Sequence, residues 1–212
     1  MDRLQNAKMD NTVTSHVYAP VSDEVTKLNK WILEMLGPYV KGRTLELNSG
    51  TNSLCPFFLE YNRPIHLSDS NPSYLQTLRE TYTGNRLVRD IHDLDLTAAD
   101  FQQSHPDMRD VFDTVISLNV SMPDFVKMVG NLKYILPQKG TLAMILPAYT
   151  SIYNGLDQNL DDWKRYNRKV IKQILEFNFS ILKVRFLNLD MDSAKYFSGK
   201  TGLSSLVIVQ NN

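Results

Sequence analysis

The sequence predicts an α/β fold: a seven-stranded, mostly parallel sheet with helices on both faces and an antiparallel last strand. Three observations carry this. Short apolar strand signals alternate with amphipathic helical stripes along most of the chain, the rhythm of strands joined by crossover helices. Seven strand signals occur, at residues 43–47, 64–68, 86–89, 115–118, 141–146, 180–187 and 203–209. The last two have no helix between them, so they are expected to close the sheet as an antiparallel pair. No repeat, low-complexity run or linker divides the chain. Residues 1–20 read as a flexible tail and residues 21–212 as one domain.

Each element has a local reason. Leu28, Trp31, Ile32, Met35 and Leu36 recur at helical spacing over 25–36. Ser22 can cap that helix, Asp23 and Glu24 suit its first turn, and Gly37-Pro38 stops it. Strand 43–47 leads through a turn, 48–52, into a helix expected over 53–60. After strand 64–68, Asn71-Pro72 pairs an N-cap with a proline at the first helical position. Tyr74, Leu75, Leu78 and Tyr82 form the expected buried stripe of the helix that follows, and Gly84-Asn85 ends it before strand 86–89. Residues 100–110 are polar and poorly patterned. Strand 115–118 reads as central and buried. Pro123 opens a helix with Phe125, Met128, Val129 and Leu132 on one face. Residues 137–140 turn into strand 141–146. A helix over 161–177 places Val170, Ile171, Ile174 and Leu175 inward, and residues 196–202 read as a loop between the last two strands.

Composition excludes several classes. The 212 residues carry 23 Lys+Arg against 23 Asp+Glu, and this balance lacks the basic excess of a nucleic-acid binder. A single cysteine, Cys55, excludes an intrachain disulfide and any multi-cysteine zinc site. The longest apolar runs, 142–146 and 206–209, fall far short of a membrane span. The first fifteen residues hold no apolar run, so no secretory signal is expected there and a cytoplasmic location is the default. His16, His66, His92 and His105 share no metal-ligand spacing, and no metal site is expected. No phosphate-binding loop, nucleophile elbow or zinc-protease helix is present.

In sheets of this kind ligands bind at the carboxyl ends of the strands, where strand order reverses. The turn after the first strand, Glu46-Leu-Asn-Ser-Gly-Thr-Asn52, is a glycine-bearing approach to a helix N-terminus. Asp69 ends the second strand. It is placed either to accept hydrogen bonds from ribose hydroxyls or, with Asn71, to cap the next helix. Asp90, read as the end of the third strand, and Ile91 can frame an adenine ring, or can belong to a solvated acidic loop with Asp93 and Asp95. Asn119 ends the fourth strand on the same rim.

These pieces, in this order, resemble a class I S-adenosylmethionine-dependent methyltransferase over about residues 28–188. Leu28-Asn-Lys-Trp31 through Gly42-Arg-Thr-Leu-Glu46 resembles the family's leading helix and first strand. Ser68-Asp-Ser-Asn-Pro-Ser-Tyr-Leu75 resembles its second-strand acid and helix, and Phe112-Asp-Thr-Val-Ile-Ser-Leu-Asn119 its fourth strand. Leu132-Lys-Tyr-Ile-Leu-Pro-Gln-Lys-Gly-Thr-Leu142 resembles its turn into strand five. Tyr153-Asn-Gly-Leu-Asp157, Trp163-Lys-Arg-Tyr166, Lys169 and Arg185-Phe-Leu-Asn188 are similar to a bacterial subgroup associated with surface-polysaccharide gene clusters.

The resemblance implies a Rossmann-like fold and S-adenosylmethionine as cofactor. It places Glu46, Asn48, Gly50, Asn52, Asp69, Asp90, Ile91 and Asn119 around the cofactor. Tyr149, Tyr153, Asp157, Arg165 and Tyr166 fall on the acceptor side, within a cap expected over the strand ends. The acceptor implied is a small molecule or saccharide, with neither nucleic acid nor membrane as partner, and no residue is assigned as catalytic. The chain departs from the family pattern at Asn48 and Asn52, where glycines are usual, at Ser121-Met122-Pro123, where an acid–histidine pair is usual, and at Tyr149 in place of a frequent histidine. Asparagine is the least costly non-glycine residue at positive φ, so the turn can still form. Those departures keep open an alternative: a catalytically degenerate relative that works as a binding or scaffold module. A nicotinamide-dependent dehydrogenase fits least, because the turn lacks the spaced glycines that a pyrophosphate requires.

Overall fold

The computed structural model describes residues 23–50, 53–118, 120, 122–147, 173–190, 195–199 and 204–212. The helices among them include α1 (Asp23–Leu36), α2 (Cys55–Glu60), α3 (Pro72–Tyr82), α4 (Phe101–Ser104) and α5 (Met122–Ile135), and residues 173–176 are also helical. The strands are β1 (Thr44–Leu47), β2 (Ile65–Asp69), β3 (Val88–Asp93), β4 (Thr114–Ser117), β5 (Thr141–Pro147), β6 (Phe179–Asp190), β7 (Lys195–Gly199) and β8 (Ser204–Asn211). They form one sheet in the order β3-β2-β1-β4-β5-β8-β6-β7. Neighbours from β3 through β5 are parallel, and β8 runs antiparallel to both β5 and β6.

The expected mostly parallel sheet with its antiparallel last strand is therefore present, with an eighth strand added at one edge. That strand, β7, lies where residues 196–202 were read as a loop. It pairs with the far end of β6, from Phe186↔Gly199 to Asp190↔Lys195. β8 covers only one edge of the twelve-residue β6, so the opposite edge, residues 186–190 included, offers a row of unpaired backbone groups. β7 fills that row through backbone hydrogen bonds, for which Lys-Tyr-Phe-Ser-Gly carries little side-chain signal.

Side-chain alternation builds a core on each face. Leu45, Leu47, Val115, Leu142, Val207 and Val209 pack with Phe101 of α4 and with Phe125, Met128, Val129 and Leu132 of α5. On the other face Ile65, Leu67, Ile116, Ala143 and Ile208 pack with Leu28, Ile32 and Leu36 of α1, Phe58 of α2 and Leu78 of α3. Adjacent residues such as Val115 and Ile116 thus serve opposite cores, as strands buried on both faces require.

Two local expectations need correction. The third strand runs to Asp93, well past residue 89. β3 is the sheet's edge, half-exposed along its length, so Arg89, Asp90 and His92 can sit in it at little cost and break the apolar run by which strands are recognised. Tyr74 is not part of the buried stripe of α3. Leu75, Leu78 and Tyr82 are, whereas Tyr74 is 38% exposed and lies against the turn after β1. The N-cap of α3 is as expected, with Asn71 Oδ1 accepting from Ser73 N at 2.9 Å. Among the described residues no helix is long and apolar enough to cross a membrane.

Phe125 is fully buried and ties α5 to the sheet, while its neighbour Val126 is 54% exposed. Phe125→Ala should lower unfolding free energy by about 3–5 kcal/mol, and Val126→Ala by less than about 0.5 kcal/mol. Urea unfolding of the two variants beside the wild type measures both.

Candidate functional site

Strand order reverses between β1 and β4: the chain continues from β1 to one side of the sheet and later returns to the other. The loops that leave the two strands diverge there and open a crevice at the carboxyl edge. It holds a cavity of about 330 Å³, with Leu47, Asn48, Ser70, Leu94, Leu96, Val120 and Met128 in its walls and Asp95, Thr97 and Asp124 among its polar groups.

The turn after β1 forms one wall. Asn48 adopts φ 55°, the left-handed conformation that asparagine tolerates best after glycine. Ser49 N donates to Ser68 O at 2.9 Å, and Ser49 Oγ donates to Glu46 O at 3.0 Å. Gly50 N donates to Asp69 Oδ2 at 3.1 Å, and Asn71 N donates to Asp69 Oδ1 at 2.9 Å. A Cβ added at Gly50 would lie 2.3 Å from Tyr74 Cβ and 2.5 Å from Tyr74 Cγ. Glycine is required at this position by close approach to α3.

Glu46 lies beneath the turn with no exposure to water. Ser53 Oγ donates a short hydrogen bond to its Oε2, and Leu54 N donates to Oε1 at 2.6 Å. Burial raises its pKa to about 7, against the opposing pull of those hydrogen bonds. The carboxyl group clamps the start of α2 to the end of β1.

The exit of β3 closes the opposite wall. Leu94 N donates to Asp69 O at 3.1 Å, which binds the exit to β2. Asp95 Oδ1 accepts from Thr97 N at 2.8 Å and from Thr97 Oγ1 at 2.6 Å, bending the chain so that Leu94 and Leu96 turn inward.

Of the residues singled out in the sequence, Asn48 lines this crevice, and Glu46, Gly50 and Asp69 are bonded into the turn and strand ends behind it. Asp90 and Ile91 do not reach its rim. Asp93 pairs with Asp69 across the strands, and Ile91 stands level with Leu67, inside the sheet. Asp90 is exposed, accepts from Ile91 N at 2.8 Å, and lies 3.8 Å from His92 Nδ1. The strand end that was read at Asp90-Ile91 is occupied by Asp93-Leu94. The alternating Asp93-Leu94-Asp95-Leu96 run was the available signal, of which only Asp93 and Asp95 were noted, as support for the alternative of a solvated acidic loop. Ser70, Val120, Asp124 and Met128 were not anticipated as wall residues. The tail 1–20, Asn52, Asn119, Tyr149, Tyr153, Asp157, Arg165 and Tyr166, with the cap expected over 149–168, lie outside the described residues. Among the described residues no group of three or more His, Cys, Asp or Glu side chains could hold a metal ion.

Two predictions follow from the turn. Folded Glu46 keeps its proton up to about pH 7, whereas a free glutamate releases it near 4.5. Between those values the folded state binds more protons, so stability falls as pH rises through the window. The fall is bounded by about 3 kcal/mol, and Glu46→Gln should flatten it in urea titrations across that range. Gly50→Ala should cost about 1–3 kcal/mol by overpacking. Tyr74→Ala should not restore that loss, because it leaves the closest atom, its own Cβ, in place.

Comparison of the sequence with family models and with curated proteins gives no match. Comparison of the fold with solved structures gives many. A SAM-dependent methyltransferase from Methanosarcina mazei superposes with a TM-score of 0.61 at 10% identity, over 84% of this chain and 96% of that one. The N-methyltransferase NodS from Bradyrhizobium japonicum gives 0.57 at 13% identity, over 90% of this chain and 97% of that one. The CurJ carbon methyltransferase gives 0.58 at 16% identity, over 88% of this chain and 54% of that one. The strand order, with an antiparallel strand beside β5 and a crevice at the β1–β4 switch, is a Rossmann-like fold that this chain shares with these methyltransferase structures.

Proposed function

We propose that the chain, with residues 21–212 acting as one domain, is an S-adenosylmethionine-dependent methyltransferase for a small-molecule or saccharide-type acceptor. The observation that carries this reading is the cavity at the strand-order switch, walled by the β1 turn and the β3 exit with the Asp69 carboxylate behind them. The fit of the cofactor to the residues present can be judged from that carboxylate. Asp69 is 5% exposed, and each of its oxygens already accepts one backbone N–H. A carboxylate has about four acceptor positions, so two remain for a pair of ribose hydroxyls. Leu94, Leu96, Val120 and Met128 offer apolar walls for a flat base, and Ser70, Thr97 and Asp95 offer polar groups at their edge. The residues therefore fit an adenosyl group.

When bound, S-adenosylmethionine supplies an electrophilic methyl group on a sulfonium centre. The chain's own contribution is to position and to exclude water. Gly50 and Asn71 N–H groups hold Asp69 in one orientation, so it is preorganised to accept. The apolar walls keep water from the base, and Glu46 and Ser53 hold the turn that separates the two halves of the crevice. Positioning of this kind supplies much of the rate enhancement in transfers that need no proton to be moved first. Tyr149, Tyr153, Asp157, Arg165 and Tyr166 belong to this reading as acceptor-side groups. NodS and CurJ, an N- and a carbon methyltransferase, illustrate that the acceptor atom varies on this fold.

A second reading is a binding module without turnover. It is favoured by the tight seat of Gly50 against Tyr74 and by Asn48 in place of a glycine, both of which narrow the turn where the methionine half would pass.

Titration calorimetry with S-adenosylmethionine and S-adenosylhomocysteine separates the readings. Asp69→Ala should weaken binding between about tenfold and several hundredfold, and Asp69→Asn less, since an amide oxygen still accepts. Unchanged affinity in Asp69→Ala removes Asp69 from the site. Absence of binding to the wild type at about millimolar ligand (a binding free energy weaker than about −4 kcal/mol) favours the module, and recovery in an Asn48→Gly, Asn52→Gly variant then locates the block in the turn.

A further inference from the structure

The opposite, amino-terminal edge of the sheet carries a separate cavity of about 380 Å³, lined by Gly42, Arg43, Thr44, Pro64, His66 and Arg89. From this cavity we infer a binding site for the phosphate group of a small phosphorylated molecule. The inference does not rest on the methyltransferase reading, because the cavity shares no residue with the crevice at the carboxyl edge.

The arrangement comes from three neighbouring strands. His66 stands on β2, with Arg43 at the start of β1 on one side and Arg89 on β3 on the other. The lining residues include two guanidinium groups and no acid. Among the described residues neither Arg43 nor Arg89 has a carboxylate within ion-pair distance. Arginine presents a planar fork of donors that matches phosphate oxygens, and two such forks flanking one cavity are the usual composition of a phosphate site.

The base of the site is rigid. Arg43 N donates to Asp113 Oδ2 at 2.8 Å, and Thr114 N donates to Arg43 O at 3.2 Å. Gly42, at φ 56°, lets this carboxylate in: a Cβ there would fall 2.0 Å from Asp113 Oδ2. His66 is fixed as well. Its Nδ1 lies 3.1 Å from His92 Nε2, the two rings stack with centroids 5.3 Å apart, and Phe112 meets both edge-on. Nδ1 of His66 is engaged by His92, which leaves Nε2 as the ring nitrogen outside that contact.

The acids of the neighbourhood are already committed. Asp113 holds the Arg43 backbone, Asp90 accepts from Ile91 N and faces His92, and Asp107 acts on His92. Burial and the charges of His92, Arg43 and Arg89 hold the His66 pKa down to about 4, against Asp90. Arg43 and Arg89 both act on His66 as positive charges, the sign that favours an oxyanion. A metal ion fits less well, since the two imidazoles are bonded to each other and no third ligand joins them.

The test is an imidazole-detected NMR titration of the full chain with inorganic phosphate and with glucose 1-phosphate, against sodium chloride at matched ionic strength. Saturable shifts of the His66 resonances with either phosphate compound are expected. Arg43→Gln and Arg89→Gln should each weaken the binding about tenfold or more while both exposed positions leave the fold intact. Tighter binding of glucose 1-phosphate means a carried phosphate group, equal binding means free phosphate, and both support the site. Shifts that chloride reproduces, or an affinity unaffected by both arginine variants, overturn it.

Discussion

A carboxyl group sealed from water lies under the turn that follows the first strand, and the candidate site is arranged around it. Glu46 has no exposure, and it accepts from Ser53 Oγ and Leu54 N, both in the segment that opens α2. Its own backbone carbonyl accepts from Ser49 Oγ and from Ser68 Oγ, at 3.0 and 3.1 Å. One residue thereby fastens β1, β2, the turn and α2 together. Removing a partner would strand a buried polar group, which costs more than a surface hydrogen bond is worth. These bonds fix the described part of the turn, in which Asn48 accepts a left-handed backbone.

From that anchor the crevice follows. Gly50 is held against Tyr74 and Asp69, and Asp69 in turn receives Asn71 and, through its carbonyl, Leu94. The ends of three strands are thus locked into one hydrogen-bonded rim. An acid within such a rim is oriented by backbone donors before any ligand arrives, which lowers the ordering cost of binding. The same tightness limits the space over the turn, so the two functional readings draw on one structural feature and differ in how far the turn yields.

The two edges of the sheet are electrostatically unlike. Acids Asp95 and Asp124 border the carboxyl-edge crevice, with Asp69 behind its wall, while Arg43, Arg89 and a neutral His66 border the cavity at the amino edge. A chain with no formal net charge can still present opposite potentials at sites on opposite edges.

Local chemistry made much of this legible in the sequence. Helical spacing in α1 and α5 marked Leu28, Ile32, Phe125 and Leu132 as core, and all are buried. The Asn71-Pro72 start of α3 and the role of asparagine at position 48 were readable because caps and left-handed turns depend on a few adjacent atoms. What escaped depends on partners distant in sequence. The end of β3 is set by its register with β2, and an edge strand tolerates the charges that disguise it, so Asp93 and Leu94 were passed over for Asp90 and Ile91. Strand β7 forms on the edge of β6 that β8 leaves open, a relation between strands that its own five residues do not encode. Tyr74 has the spacing of a core residue, yet the approach of Gly50 draws it to the rim, and the pairing of His66 with His92 arises only when β2 and β3 lie side by side. Periodicity and capping act within a turn or two of chain. Register, edge pairing and cavity walls are properties of strands brought together, and their energies are absent until the sheet has formed.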